Sequence, residues 1–447
     1  MNDEFVSPIG TRYSAPEISK IWSQNNKIYT MRKLWVTLAK TQKKLGLDYI
    51  TDEAINEMEE NVQNIDYNKI QEYEKIFKHD IVAHLHAFAD ICPKAKSIIH
   101  LGVTSNYIND NTDSILIRDS LKIIKDLTNN LIDTLRILSF EYRHTPTLGY
   151  THLQEAQLIT VGKRFTIWNS DIMLDQKGLI NLYYQLPFRG VKGTVGSEDS
   201  ILKLFNGDHN KCKVLNQELS YEHRFVNIVE ICGQTYSRKY DTYLFSRLSQ
   251  LCQSIYKMAN DVRLLSSKNE INEFFSCTQV GSSAMPYKKN PITCEKICSL
   301  CRYVVNQEQT MNQTYMNQWL ERSLDDSAVR RIILPECLML VEHILKETNK
   351  MLLTIQVNKE HITNIVEQRM PYIVSEEVII KGVEMGYDRQ DLHERIRKLL
   401  VNNNKNTTEN IFLTDPILET IFKKQYISMC PSHYIGRCVQ QIEEFYK

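Results

Sequence analysis

One run of apolar residues repeats at the spacing of a coiled coil, and it constrains the fold more than any other feature of the sequence. Its members are separated alternately by four and three positions: Leu244, Leu248, Leu251, Ile255, Met258, Val262 and Leu265. Because this spacing puts every member on one helix face, it predicts a long α-helix with a continuous apolar seam. Such a seam must be buried against other helices or against another subunit.

Two other stretches show the same helical periodicity. The first passes through Ile117, Leu121, Ile124, Leu127 or Thr128, Leu131, Leu135 and Leu138, and the second runs from about Pro335 to Ile355 through Leu338, Val341, Leu345 and Leu352. The chain has only 15 glycines and 11 prolines among 447 residues, about half the usual share, so few turns interrupt its helices. This scarcity argues against sandwiches, propellers and collagen-like repeats.

These patterns predict an all-α fold of three helical domains. The predicted segments are an N-terminal helical domain (1–104), a central long-helix bundle (105–357) and a C-terminal helical domain (358–447). The polar stretch 402–410 predicts a loop between helices of the last domain.

The charge balance and the cysteines restrict the partners and the compartment. Lys and Arg number 54 and Asp and Glu number 54, so no overall field attracts nucleic acid or an anionic membrane. The chain start lacks an apolar signal core, and no stretch approaches the ~18 apolar residues of a membrane span. Eleven cysteines, an odd number, indicate reduced thiols. We therefore predict a cytoplasmic protein.

Residues 276–291 (SCTQVGSSAMPYKKNP) predict an irregular polar loop between helices. Asn290 followed by Pro291 predicts a helix start with Asn290 as N-cap, so that unpaired N–H groups face the loop. Together with Lys288 they would form a small electropositive site for a carboxylate, or for the charge that develops when a proton leaves carbon. A serine there could act as base or nucleophile. A polar hinge without chemistry accounts for the spacing equally well.

Three cysteines follow this loop with the spacing of a radical SAM iron–sulfur motif. Cys294, Cys298 and Cys301 form C-x3-C-x2-C, which can hold a cluster when it lies on a loop. Here the same residues recur at i, i+4 and i+7 after the predicted helix start, so we interpret them as a buried stripe of that helix. We predict no metal site and no cofactor.

The pattern Ser282-Ser283-x-Met285-Pro286-x-Lys288-x-Asn290 resembles the signature loop of the fumarase/aspartase superfamily, whose members eliminate fumarate from succinyl-bearing substrates. Within it the chain is most similar to the adenylosuccinate lyase family, in its animal form, over essentially the whole length. The other matching stretches are 10–13, 78–80, 99–105 with 110–111, 151–154, 189–194, 233–236 and 319–331. The resemblance implies a homotetramer in which three subunits contribute to each active site. We expect the seam from Leu244 to Leu265 to support this assembly.

The implied reaction is a β-elimination. It would release fumarate from adenylosuccinate, giving AMP, and from succinylaminoimidazole carboxamide ribotide, giving AICAR. By the resemblance, Ser282 would be the base and His152 the general acid that protonates the departing nitrogen. Further implied roles are those of Lys288 and Asn290 in holding the developing carboxylate charge, of Glu295 in keeping His152 charged, and of His79 in positioning substrate or assisting the acid.

The resemblance also implies a set of substrate contacts. They are Arg12, Tyr13, Lys78, Asp80, Thr104, Ser105, Gln234, Asn290, Lys296, Arg322, Ser327 and Arg331. Their types suit a nucleotide monophosphate with two additional carboxylates, because arginine binds oxyanions through two parallel hydrogen bonds. Lys296 departs from the animal pattern, which has arginine at this position. The lysine keeps the positive charge but cannot form the two parallel hydrogen bonds of a guanidinium.

Two alternatives stay open. One is argininosuccinate lyase or another lyase of the superfamily, which would share the loop but would not be expected to share the stretches around Arg12 and from Arg322 to Arg331. The other is a non-catalytic helical scaffold of the same fold. Such a scaffold would be marked by loss of the acid or the base, and both Ser282 and His152 are present.

Overall fold

The computed structural model describes residues 4–13, 15–402 and 411–447, with Asn402 described only as backbone. These residues form eighteen α-helices, two short 3-10 helices and three two-stranded sheets, so the predicted all-α fold is confirmed. The predicted loop at 402–410 lies outside the described residues, apart from Asn402, at which a helix ends. Within the described chain, no helix combines the length and apolarity needed to cross a membrane.

The helices differ greatly in length, and five of them have 25 or more residues. In chain order they are α1 (Pro8–Thr11), α2 (Pro16–Ile21), α3 (Gln24–Lys44), α4 (Asp52–Glu60), α5 (Tyr67–Phe77), α6 (Asp80–Ile91), α7 (Ser105–Glu141), α8 (Val161–Gln185), α9 (Asp199–Leu204), α10 (His209–Glu222), α11 (Lys239–Ser267), α12 (Ile292–Met316), α13 (Asp326–Leu353), α14 (Lys359–Ile373), α15 (Ser375–Glu384), α16 (Arg389–Asn402), α17 (Pro416–Lys424) and α18 (Cys438–Phe445).

The strands are short and pair in three separate sheets. They are β1 (Pro146–Thr151) with β2 (Gln154–Thr160), antiparallel; β3 (Pro187–Phe188) with β4 (Asn227–Ile228), parallel; and β5 (Ile271–Asn272) with β6 (Gln356–Val357), antiparallel. The 3-10 helices are Ile411–Thr414 and Pro431–Tyr434. The β1–β2 pair is the one hairpin among the described residues with strands longer than two residues.

The predicted apolar seams are buried. Every seam residue of α11 from Leu244 to Leu265 is at most 5% exposed, and in α7 it is Thr128, not Leu127, that continues the buried row. Because the chain's own residues cover the α11 seam, it is not available to a second subunit. The expectation that this seam supports tetramer assembly is therefore wrong.

Helix α13 begins earlier than predicted. The sequence pattern placed its start near Pro335, whereas the helix begins at Asp326 and contains Pro335 in its interior. Proline removes one helical hydrogen bond, but the first turns are fixed by buried ion pairs. Asp326 is paired with Arg238 at 2.6 Å, and Arg330 with Asp241 at 2.8 Å. These ion pairs outweigh the tendency of Pro335 to interrupt the helix.

The chain divides into two compact units, each built from three stretches. The first unit comprises Met1–Asn129, Leu174–Tyr256 and Ser299–Lys346, and the second comprises Asn130–Met173, Lys257–Cys298 and Glu347–Lys447. In the first, α3 packs on α4 and α10, and α5 packs on α6. In the second, α14 packs on β1 and β2, and α15 packs on α16 and α17. The division into three consecutive domains stays a prediction.

A close helix contact in the second unit gives a test of the packing. A Cβ atom added to Gly162 of α8 would lie 2.3 Å from the carbonyl oxygen of Ser139 and 2.7 Å from the Cα of Arg143. We expect Gly162→Ala to lower the free energy of unfolding by about 1–3 kcal/mol, because backbone atoms must move apart. Thermal or denaturant unfolding measures the change.

The control is Gly178→Ala in the same helix. There the new methyl group would meet the flexible side chain of Arg247, at 3.1 Å from its Cδ. This variant should be neutral or slightly stabilising, because alanine is the better helix former by about 1 kcal/mol. Equal stability losses in the two variants would contradict the packing argument.

Candidate active site

His152 lies at the tip of the β1–β2 hairpin. Thr151 pairs with Gln154, so His152 and Leu153 form a two-residue turn, with φ angles of 54° and 59°. Two positive φ values are typical of the type I′ turn that matches the twist of a hairpin, a turn in which Asn-Gly is usual. A leucine in this region is strained, and such strain persists only when the surrounding structure imposes it. The turn leaves the imidazole exposed.

Ser282 lies in the irregular loop between β5 and α12, as predicted. Its Oγ accepts hydrogen bonds from the backbone N–H of Ala284, at 3.3 Å, and of Met285, at 3.1 Å. Two N–H donors aimed at one hydroxyl oxygen stabilise negative charge on that oxygen. The local turn therefore fixes the hydroxyl oxygen and directs two N–H dipoles at it.

The two ends of this loop are held together at Gly281. The Asn290 Nδ2 donates to the Gly281 carbonyl oxygen at 2.8 Å, and a Cβ atom at residue 281 would lie 1.9 Å from the carbonyl oxygen of Lys288. Only glycine fits so close to another backbone. The Lys288 ammonium is exposed and makes no hydrogen bond or ion pair within the described chain.

The predicted role of Asn290 as N-cap is wrong. Helix α12 begins at Ile292, and the Asn290 amide closes the loop instead. The Glu273 carboxylate accepts from the N–H of Thr293 at 3.0 Å and of Cys294 at 2.6 Å. The sequence predicted that these N–H groups would face a substrate carboxylate. The Glu273 carboxylate, which comes from outside the helix, occupies that position instead and neutralises the N–H groups and the helix dipole.

The first turn of α12 carries Glu295 and Lys296. Glu295 is exposed, and no hydrogen bond or ion pair joins it to His152 among the residues described. The Lys296 ammonium is paired with Glu347. Farther along, Cys294, Cys298 and Cys301 are all buried in this regular helix, so their interpretation as a buried stripe is confirmed.

In the first unit, Lys78, His79 and Asp80 join α5 to α6. Lys78 ends α5 with φ of 51°, and His79 is the N-cap of α6, its Nδ1 accepting from the N–H of Val82 at 3.4 Å. The same Nδ1 also lies 3.5 Å from the Asp80 carboxylate. The imidazole is therefore oriented by the helix start.

Asp80 is paired with Arg331 of α13, so two predicted substrate contacts meet each other. Burial raises the pKa of Asp80, but the N–H of Ile81 and the Arg331 guanidinium outweigh it, and the net pKa is lowered. Arg331 keeps part of its guanidinium exposed. The pair therefore has an ionised carboxylate at neutral pH and an arginine that can still contact an anion.

A small cavity of about 120 Å³ brings together three of the predicted binding residues. Arg322, Ser327 and Arg331 line it, and so do Lys27 and Asn106. In all, five cationic and three acidic side chains line it, and this excess of positive charge favours an oxyanion such as a phosphate or carboxylate. The structure therefore supports an anion site at the start of α13.

A buried chain of ion pairs fixes Arg322 at this cavity. Arg322 donates to one Asp326 oxygen at 2.7 Å, and the other oxygen accepts from Arg238 at 2.6 Å. Arg238 also donates to Asp110 at 2.9 Å. Burial raises the pKa of Asp326, but the two arginines outweigh it and the net shift is downward. Sequence reasoning did not single out Arg238, because nothing in its spacing marks it.

The other predicted contacts of the first unit lie on helix ends and loops. The Thr104 hydroxyl is buried and has no hydrogen-bond partner in the described parts of the chain, and Ser105 begins α7. The Gln234 N–H donates to the Glu321 carbonyl at 2.9 Å. Arg12 is exposed after α1, and the Tyr13 ring contacts the His343 ring at 5.7 Å.

The predicted residues are therefore divided between the units. The second unit contains His152, Ser282, Lys288, Asn290, Glu295 and Lys296, and the first contains Arg12, Tyr13, Lys78, His79, Asp80, Thr104, Ser105, Gln234, Arg322, Ser327 and Arg331. The second unit thus contains the predicted base and acid, and the predicted residues of the first unit are mostly groups suited to binding.

Comparison with known proteins shows the family of the chain. Residues 11–306 match the family described as lyase. Adenylosuccinate lyase of Saccharomyces cerevisiae is 38% identical over 99% of this chain and 94% of its own length, and that of Schistosoma mansoni is 38% identical over the same shares. The chain belongs to the adenylosuccinate lyase family.

A solved structure shows the same fold at lower sequence similarity. The chain superposes on a fumarate lyase from Mesorhizobium sp. BNC1 with a TM-score of 0.84, at 20% identity, over 97% of this chain and 98% of that one. Both the superfamily fold and the resemblance to adenylosuccinate lyases are thus confirmed. Since the adenylosuccinate lyases match nearly end to end, the similarity extends over the stretches that are predicted to bind substrate.

The helix cap provided by Glu273 can be tested. Glu273→Ala removes the acceptor of two N–H groups, and the loss of a cap typically costs about 1 kcal/mol. We expect faster hydrogen exchange at residues 292–296 and a matching fall in stability. Glu308→Ala, in the middle of α12, is the control. Unchanged exchange in Glu273→Ala would contradict the cap.

Proposed function

We propose that the chain catalyses β-elimination of fumarate from adenylosuccinate, giving AMP, and from succinylaminoimidazole carboxamide ribotide, giving AICAR. The observation that carries this proposal is the near end-to-end similarity to adenylosuccinate lyases, combined with the presence of Ser282, His152 and Lys288. The reaction makes it a carbon–nitrogen lyase of purine nucleotide biosynthesis. It needs no cofactor in this proposal.

In the proposed mechanism, Ser282 removes a proton from the carbon adjacent to the one that carries the departing nitrogen. The electron pair left on carbon is stabilised by the adjacent carboxylate and then forms the new double bond as the C–N bond breaks. The two N–H donors at Ser282 Oγ support this role, because they stabilise the oxyanion that acts as base. Lys288 and Asn290 hold the carboxylate charge that develops.

His152 donates the proton that the departing nitrogen takes. Histidine suits this role because its ordinary pKa of about 6.5 lets it be charged before transfer and neutral afterwards. Its exposed position at a tight turn supports the proposal, since the turn leaves the ring accessible to a substrate. Since Glu295 and His152 are not joined within the described part of one chain, Glu295 would keep His152 charged from a different subunit of the proposed assembly, and His79 would position the substrate.

Binding falls to the cationic residues of the first unit. The cavity with Arg322, Ser327 and Arg331 supports recognition of one oxyanion of the substrate, either a phosphate or a carboxylate. Arg12, Tyr13, Lys78, Asp80, Thr104, Ser105 and Gln234 complete the proposed contacts. The pairing of Lys296 with Glu347 gives that lysine a competing carboxylate partner, so its contact with substrate is expected to be weaker than that of an arginine.

We further propose a cytoplasmic homotetramer in which different subunits contribute to one active site. Apolar side chains on the surface of the single chain support the assembly: Ile231 and Leu320 are each at least 90% exposed. No nucleic acid or membrane partner is proposed, because the net charge is zero.

The proposed function predicts fumarate release from adenylosuccinate by the purified protein. Ser282→Ala and His152→Ala should each lower kcat by about 10²–10⁴-fold, because each removes a group that transfers a proton. The oligomeric state should stay unchanged in light scattering. Chromatographic measurement of fumarate and AMP gives the rates.

Ser283→Ala is the matched control. It removes a hydroxyl next to Ser282 without touching the proposed base, so kcat should stay within about threefold of wild type. Wild-type kcat in Ser282→Ala, with a loss in Ser283→Ala, would transfer the role to Ser283. Faster turnover of argininosuccinate than of adenylosuccinate would refute the proposed substrate.

A further inference from the structure

A buried carboxylate anchors the strand that leads to His152. Glu270, 1% exposed, precedes β5 and accepts hydrogen bonds from two residues of β1. The Thr147 Oγ1 donates to it at 3.2 Å, and the Tyr150 hydroxyl donates to its other oxygen. Tyr150 lies two residues before His152, so Glu270 holds the strand close to the turn.

Arg164 of α8 completes this anchor. Its Nη2 donates to the Leu148 carbonyl oxygen at 2.7 Å, and its Nη1 lies 3.8 Å from Glu270. Burial lowers the pKa of Arg164, and the Glu270 carboxylate opposes that shift. Burial and the hydrogen bond to Glu270 also raise the pKa of Tyr150, so its hydroxyl stays a donor. The three side chains thus form one buried polar cluster beneath β1.

The Glu270 backbone is itself fixed at both of its polar atoms. Its N–H donates to the Leu265 carbonyl at 3.0 Å, at the end of α11, and its carbonyl accepts from the N–H of Asn358 at 2.9 Å, just before α14. Since α14 also packs on β1, the carboxylate belongs to a rigid framework. A displacement of β1 would have to break these contacts or leave a buried charge unpaired.

The hairpin needs such an anchor. A two-stranded hairpin is at best marginally stable alone, and this one has a left-handed leucine in its turn, where glycine is usual. Its local sequence therefore does not define the position of the tip. For a group that transfers a proton, a displacement of 1 Å can cost about 10²-fold in rate.

We infer that Glu270, Tyr150 and Arg164 are positioning residues for the proposed acid His152. The inference rests on the proposed function, because it assigns the cluster a purpose in that reaction. It differs from a purely structural role in two respects. The cluster affects kcat and not KM, and its effect depends on the presence of the His152 imidazole.

The central experiment uses Tyr150→Phe. This change keeps the ring, which lies 4.3 Å from the Lys268 ammonium, and removes only the hydroxyl that donates to Glu270. We expect kcat for adenylosuccinate to fall about 10–100-fold, with KM within about threefold of wild type. Hydrogen exchange at residues 146–160 should become faster.

Two substitutions of Glu270 should lower kcat to different extents. Glu270→Gln keeps an acceptor for Tyr150 and should lose less kcat than Glu270→Ala, which removes both acceptors. The control is Tyr303→Phe in the first unit, which removes a similar hydrogen bond to Glu336, of 2.9 Å, and should leave kcat and hairpin exchange as in wild type. Tyr150→Phe still decides the matter if Glu270→Ala does not fold.

A double-mutant cycle separates positioning from general destabilisation. In a His152→Ala background, Tyr150→Phe should leave the residual kcat unchanged, because there is no acid left to position. An equal fold loss in both backgrounds would overturn the inference, and so would wild-type kcat in Tyr150→Phe. A wild-type protein that releases no fumarate would refute the proposed function and the catalytic part of this inference. The exchange data would still show whether Glu270 anchors the hairpin.

Discussion

Burial of the long helical seams is the constraint on which the rest of the molecule depends. The α11 seam is at most 5% exposed along its whole length, so the helix cannot shift without exposing apolar side chains to water. Rigid helices of this length fix the positions of their own ends. Ser105 begins one such helix, α7, and Ser327 lies in the first turn of another, α13, while His79 caps the shorter helix α6.

Three carboxylates, of which Asp326 and Glu270 are buried, connect this framework to the polar groups. Asp326 joins Arg322 to Arg238, Glu273 caps α12 and Glu270 holds β1. Each accepts from two or more donors, which is the condition under which a buried charge does not destabilise the fold. Each also fixes a group next to a residue proposed to bind or react. The same interaction therefore contributes to both folding and function.

Sequence reasoning predicted what depends on local periodicity or on a recognisable motif. The α7 and α11 helices, the irregular loop at 276–291 and the buried cysteine stripe all follow from spacing. The β1–β2 hairpin did not follow, because its turn is His-Leu and lacks the Asn-Gly signal. Glu273 could not be found, since a cap from outside the helix has no fixed spacing. The predicted start of α13 was wrong because ion pairs with residues distant in the sequence outweigh the helix-breaking tendency of Pro335.

The left-handed backbone at the hairpin tip affects how substitutions at position 152 are interpreted. Any replacement of His152 changes the imidazole and, at the same time, the ease with which the chain adopts φ near 54°. Asparagine and glycine tolerate this conformation, whereas valine, isoleucine and threonine oppose it through their branched Cβ. A scan of all residues at this position would therefore mix backbone geometry with proton chemistry. Asparagine isolates the chemistry, since it keeps the turn and lacks an acid of suitable pKa.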